Sequence, residues 1–174
     1  MALILNLETA TTVCSVSLAK DGKLIALKEL NGDYSHAENL TIFIEDVLLQ
    51  AKINISEIDA IAVSKGPGSY TGLRIGVSTA KGLCYSLDKP LIAVDTLEHM
   101  VFATDWDSRF MIAGGKITSV LFCPMLDARR MEVYCAVYKG HTCVKKTSAE
   151  IIDENSSADF LKDNYIIFFG DGAA

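Results

Sequence analysis

A chain of 174 residues, half of them hydrophobic and 22% charged, carries enough apolar material to bury a core, which excludes a disordered or low-complexity protein. Its formal net charge of -6 and pI of about 5.0 repel phosphate backbones, and the best basic clusters, Arg129-Arg130 and Lys145-Lys146, read as solvated charge, so that any RNA contact falls mainly to a partner. The cysteines at 14, 84, 123, 135 and 143 include no CxxC pair and no apolar run reaches membrane-spanning length, so a disulfide scaffold, a zinc knuckle and a membrane span are excluded, and a cytoplasmic location is expected.

Residues 3–7 form an apolar run that ends at Glu8, and a polar loop leads to a second strand over 13–19. Asp21-Gly22 then closes a hairpin onto a third strand over 24–30, because both residues tolerate the positive φ of a two-residue turn. Ser35-His36-Ala37-Glu38 has capping-box spacing and predicts a helix over 35–52. A β-branched run over 58–64 enters the stretch SKGPGSYTGLRIGVSTAKGL, a glycine-rich loop followed by a helix over 71–87. Pro90 and a strand over 91–94 come next, and Asp95-Thr96-Leu97-Glu98 has a helix N-cap signature. Three antiparallel strands followed by two right-handed crossovers make the ribonuclease-H-like order.

Residues 102–116 lack periodicity and read as a connection between lobes. After them a strand over 119–126 ends in Asp127, and strands over 132–138 and 142–146 turn at Lys139-Gly140. The run Ile166-Ile167-Phe168-Phe169 enters Gly170-Asp171-Gly172 as Ile61-Ala62-Val63 enters the first glycine loop. The chain thus holds two copies of one unit, a first lobe over 1–102 and a second over 103–174. With the first copy as ruler, the second stops at Ala174 short of completion, and roughly fifty further residues are expected to complete its sheet.

The glycine loop fails the phosphate templates. Gly66 and Gly72 are separated by five residues and Leu73-Arg74 stands where a P-loop has Lys-Ser/Thr. A dinucleotide fingerprint would need glycine where Thr71 stands. The glycines fit a tight strand-to-helix connection, with Ser69 or Thr71 capping the helix. Free amides around Gly68, Ser69 and Thr71 leave a weak anion site as a candidate.

On a helical wheel, Leu73, Val77, Ala80, Cys84 and Leu87 make the stripe that faces the sheet, while Ile75, Ser78, Thr79, Gly82 and Ser86 make an uncharged, mostly small opposite side. The preceding helix buries Leu40, Phe43, Ile44, Val47, Leu48 and Ala51, with Ile42 and Leu49 on its far side. Either these faces cover each other or are covered by the second lobe, or they dock on another protein's helices at close range. The docking reading is preferred.

Glu8 and Asp127 end equivalent strands, where an actin-like phosphotransferase places carboxylates for magnesium and nucleophile activation. The loops after them lack glycine, so capping carboxylates are the competing reading. His36, His99 and His141 form no HxxxH pair, and Gly68-Ser69-Tyr70-Thr71-Gly72 is not a nucleophile elbow.

SHAENL, IDAIAVSKGPGSYTGLRIGVSTAKGL, PLIAVDTLE and PMLDARRMEVYCAVY together resemble the bacterial TsaB (YeaZ) family over essentially the whole chain. Where many members have Asp after the first strand, this chain has Glu8. The resemblance implies the actin-like, sugar-kinase and chaperone-ATPase fold, with two ribonuclease-H-like lobes of mixed sheet, the second incomplete. It implies a noncatalytic partner of the paralogue TsaD, acting with TsaE in making threonylcarbamoyladenosine at adenosine 37 of tRNA, and it argues against a glycoprotease. It also implies pairing through the first two helices, as a heterodimer with TsaD or a homodimer in isolation. No metal or cofactor of its own is implied, with ATP and magnesium entering at the level of the complex. The alternative is a stand-alone actin-like ATP-dependent phosphotransferase that uses Glu8 and Asp127.

Overall fold

Asp21 and Gly22 adopt φ of 50° and 75°, the backbone twist that lets a two-residue turn join antiparallel strands without splaying them. They link β2 (Val13–Lys20) to β3 (Lys23–Asn31), and β2 also pairs antiparallel with β1 (Leu3–Glu8). The computed structural model describes residues 2–32, 36–104, 120–153, 155–162 and 164–173. It divides into two compact units, 1–95 and 96–174.

In the first unit α1 (His36–Ala51) leads through a 3-10 turn to β4 (Ala60–Gly66), and α2 (Tyr70–Leu87) leads to β5 (Leu91–Asp95). Both β4 and β5 run parallel to β1, giving the order β3-β2-β1-β4-β5. Along β1, Leu3, Leu5 and Leu7 are buried and the residues between them half-buried. This period of two places the buried set, with Cys14, Val16, Leu18, Ile61 and Val63, in one core with α1's Leu40, Ile44, Val47 and Leu48. The expected Ser35 cap lies outside the described residues. The strand after α1 begins at Ala60 rather than 58, because Asn54 and Glu57 close a capping box around residues 55–57 and hold Ile58 in the turn's exit.

The second unit repeats the plan. β6 (Val120–Arg129), β7 (Glu132–Lys139) and β8 (Thr142–Ile151) are antiparallel. The short α4 (Ala158–Leu161) precedes β9 (Tyr165–Phe169), which runs parallel to β6 as β4 does to β1. Its described sheet has the order β8-β7-β6-β9. The chain therefore has an actin-like α/β architecture, with the ribonuclease-H-like strand order in the first unit and its first four strands repeated among the described residues of the second.

The division falls at 95/96 rather than 102/103 because α3 (Thr96–Phe102) belongs to the second unit. Its buried Leu97 and Val101 join Phe122, Leu126, Ala136 and Tyr138 in a core there.

Two stability predictions follow from these elements. α2 ends at Asp88 in a left-handed conformation, φ 54°, a position glycine fills without a Cβ penalty. Asp88→Gly is expected to raise the unfolding free energy by about 0.5–1 kcal/mol in urea titrations. On β8, Glu150 pairs with Lys145 at 2.5 Å, and this bond first, then Ser148, holds the Glu150 carboxyl below its ordinary range. A depressed carboxyl contributes stability above its unfolded pKa and loses it as pH falls through the folded one. The stability difference between the parent and Lys145→Met should therefore be present at neutral pH and shrink on acidification.

Candidate functional site

The loop after β1 and the glycine loop after β4 are locked together. Ser69 N–H donates to Ala10 O at 2.6 Å, and a Cβ at Gly68 would run into that same carbonyl. One turn on, a Cβ at Gly72 would strike Thr9 O and one at Gly76 would strike Thr9 Oγ1. His36 at the start of α1 closes the arrangement, its Nε2 2.9 Å from Thr11 O and its ring beside Gly72. Ser69 caps α2 by accepting from Gly72 N–H at 3.3 Å.

On α2 the fully buried positions are Gly72, Gly76 and Ala80; half-buried Val77 and Cys84 pack against the core with Ala80 as expected, and Leu73 and Leu87 are half-buried. Ile75, expected on the outward side, is carried inward and packs against the core of the first unit. Of the anion-site candidates, Gly68 faces Ala10, the Ser69 amide is already bonded to it, and Thr71 is exposed. The glycines serve close approach of this chain's own backbone.

The paired carboxylates sit in local bonds. Half-buried Glu8 accepts from Ala10 N–H through Oε1 at 2.6 Å and from the Ser64 hydroxyl through Oε2. Exposed Asp127 accepts from Arg129 N–H at 2.7 Å, and its own N–H donates to Asp171 at 3.2 Å. Glu8 ties down the loop that follows β1, whereas Asp127, expected at the end of its strand, lies inside β6 and bonds across the irregularity between Asp127 and Arg129. Among the described residues no three His, Cys, Asp or Glu side chains gather as metal ligands.

The outward side of the two helices is the remaining candidate. Ile42 is 52% and Leu49 75% exposed on α1. On α2, Ser78, Gly82 and Ser86 are exposed and Thr79 is half-buried. A Cβ at Gly82 would meet nothing within 4 Å. Between the helices runs a groove of about 600 Å³, lined by Leu49 and Thr79 together with Thr41, Glu45, Leu83, Ile53 and Ile55. Its floor over 53–55 was not anticipated, although the Asn54-Ile55-Ser56-Glu57 capping signature marks it.

Comparison with known proteins places this geometry among relatives. A family model described as TsaD, tRNA N6-adenosine threonylcarbamoyltransferase, matches residues 32–163. A protein of Bacillus subtilis named tRNA threonylcarbamoyladenosine biosynthesis protein TsaB is 32% identical over 96% of the chain and 70% of its own length. The Escherichia coli protein of that name is 35% identical over 78% of the chain and 54% of its own length. A Staphylococcus haemolyticus tRNA N6-adenosine threonylcarbamoyltransferase is 37% identical over 58% of the chain and 34% of its own length. The chain thus spans about half the length of the Escherichia coli relative. In structure it is similar to YeaZ from Pseudomonas aeruginosa, with a TM-score of 0.71 and 28% identity over 86% of this chain and 66% of that one.

Two glycines of one helix are expected to respond oppositely to the same change. Gly72→Ala, which must displace Thr9 backbone, should cost about 3 kcal/mol of stability. Gly82→Ala, in open space, should add up to about 1 kcal/mol. Denaturation midpoints of the two purified variants check both signs.

Proposed function

Because this chain belongs to the TsaB (YeaZ) family, we propose that it is a noncatalytic subunit of the machinery that makes threonylcarbamoyladenosine at adenosine 37 of tRNA. It docks on TsaD through the outward faces of α1 and α2. The observation that carries this reading is the groove between those helices, with Leu49 at 75% exposure in its lining. An exposed apolar side chain at a groove between two helices is the relief into which a second pair of helices can pack. TsaD then carries the chemistry and most of the tRNA contact, TsaE and ATP with magnesium act on the complex, and this chain pairs with itself when TsaD is missing.

The phosphotransferase alternative draws less support. Glu8 is instead engaged in holding the loop after β1 and joining β1 to β4, through Ala10 N–H and the Ser64 hydroxyl.

Reconstitution tests the proposal. The purified chain should show no magnesium-dependent ATP turnover alone, and should restore tRNA modification when mixed with TsaD, TsaE, threonylcarbamoyl-adenylate and tRNA. Leu49→Glu should keep its circular dichroism spectrum and lose both co-elution with TsaD and the restored modification. Undiminished co-elution, or ATP turnover by the chain alone that disappears in Glu8→Gln, would reject the reading.

A further inference from the structure

Between its small-residue face and its sheet side, α2 carries a line of cations and rings. Tyr70, Arg74, Ser78, Lys81 and Tyr85 are all exposed, and at about 100° per residue they fall within about 80° of one another. Tyr70 is 75% and Tyr85 93% exposed. The Arg74 guanidinium lies over the Tyr70 ring, 5.4 Å from its centroid, so the stripe begins with a cation already paired to a ring face. No Asp or Glu occurs between Tyr70 and Leu87, and among the described residues neither Arg74 nor Lys81 enters an ion pair. Of the neighbouring carboxylates, Asp88 is exposed at the C-cap beside Lys89 in the chain, and Asp95 lies 4.0 Å from Lys65.

The stripe is separate from the groove toward α1. Thr79 lines that groove and lies about 120° or more around α2 from Tyr70, Arg74, Lys81 and Tyr85. Along the axis the two tyrosines are about 22 Å apart, room for a short single-stranded segment. The net charge of -6 opposes phosphate at long range, but salt screens that field beyond about 8 Å at physiological ionic strength, so the local sign of a face decides a contact. Cations alternating with exposed rings can follow a phosphate backbone while unpaired bases stack on the rings and on the guanidinium plane. A protein interface gathers apolar side chains at its centre and leaves charge at the rim, whereas here Arg74, Ser78 and Lys81 hold the centre.

We propose that this stripe of α2 contacts a single-stranded segment of RNA. Arg74 and Lys81 meet phosphates, and the paired Tyr70 and Arg74 at one end and Tyr85 at the other stack on unpaired bases. The inference deepens the tRNA reading and rests on it only for which RNA is met; the contact itself does not require TsaD.

The whole purified chain is titrated at low salt, without TsaD, against a fluorescently labelled, unstructured oligoribonucleotide. Anisotropy should report binding whose logarithm falls with the logarithm of salt at a slope of about -1.4, the value for two phosphates of a single strand. Arg74→Glu combined with Lys81→Glu should abolish binding. Tyr85→Ala should weaken it about tenfold and leave the slope unchanged, because stacking and not charge is lost. Ultraviolet cross-linking of the parent chain should place the RNA on the peptides carrying Tyr70 or Tyr85, with no reliance on any variant. Mixed with TsaD, the double variant should still co-elute. No binding by the parent, cross-links confined to other peptides, or unchanged affinity in the double variant would overturn the proposal. Loss of co-elution in the double variant would overturn it too, by assigning the stripe to protein docking, whereas undisturbed co-elution of Leu49→Glu rejects the docking reading alone.

Discussion

The first unit depends on one close approach, the backbone of Thr9 and Ala10 lying against the glycines of the next loop and helix. Gly68, Gly72 and Gly76 each stand where a Cβ would meet this backbone or the Thr9 side chain. Ser69 N–H and His36 Nε2 add bonds to Ala10 O and Thr11 O from either side. Packed interiors do not yield continuously, so this contact fixes how far α2 can slide and which way it turns. Glu8 belongs to the same assembly, since its carboxylate holds Ala10 N–H and joins β1 to β4 through Ser64.

From that constraint follows the face the unit presents. With Gly72, Gly76 and Ala80 turned inward, the opposite side of α2 is left with Ser78, Gly82 and Ser86 in the open, and α1 contributes Ile42 and Leu49. A stretch with the composition of a phosphate cradle thus serves an internal contact at one end and, at the other, an exposed face where Ser78, Gly82 and Ser86 stand with Arg74 and Lys81. The glycines do different work along one helix: Gly72 and Gly76 admit a neighbouring loop, whereas Gly82 faces open space.

The second unit shows how one topology supports different interiors. β6, β7 and β8 repeat β1, β2 and β3, but where Leu5 and Val16 line the first core the second has Cys123, Met125 and Cys135. Lys145 and Glu150 lie across that layer as an ion pair. Each of these half-buried charges meets a partner, which offsets the cost of withdrawing it from water.

The sequence by itself determined the order of elements, the duplication, the Asp21-Gly22 turn and the family, because these reside in local periodicity, turn chemistry and contiguous motifs. It also offered Ser69 or Thr71 as a cap, of which the structure uses Ser69, and named the exposed Ile42, Leu49, Ser78, Gly82 and Ser86. Only the tertiary structure decided that Ile75 turns inward and that the glycines meet Thr9, since a helical wheel assumes that bulk faces the core and contains no loop from sixty residues upstream. It likewise moved α3 into the second unit, where Leu97 and Val101 find their apolar partners. It brought Cys123, Cys135 and Lys145 onto one face through strand register. Spacing along a chain does not reveal which strands become neighbours, and these contacts exist only once the strands have paired.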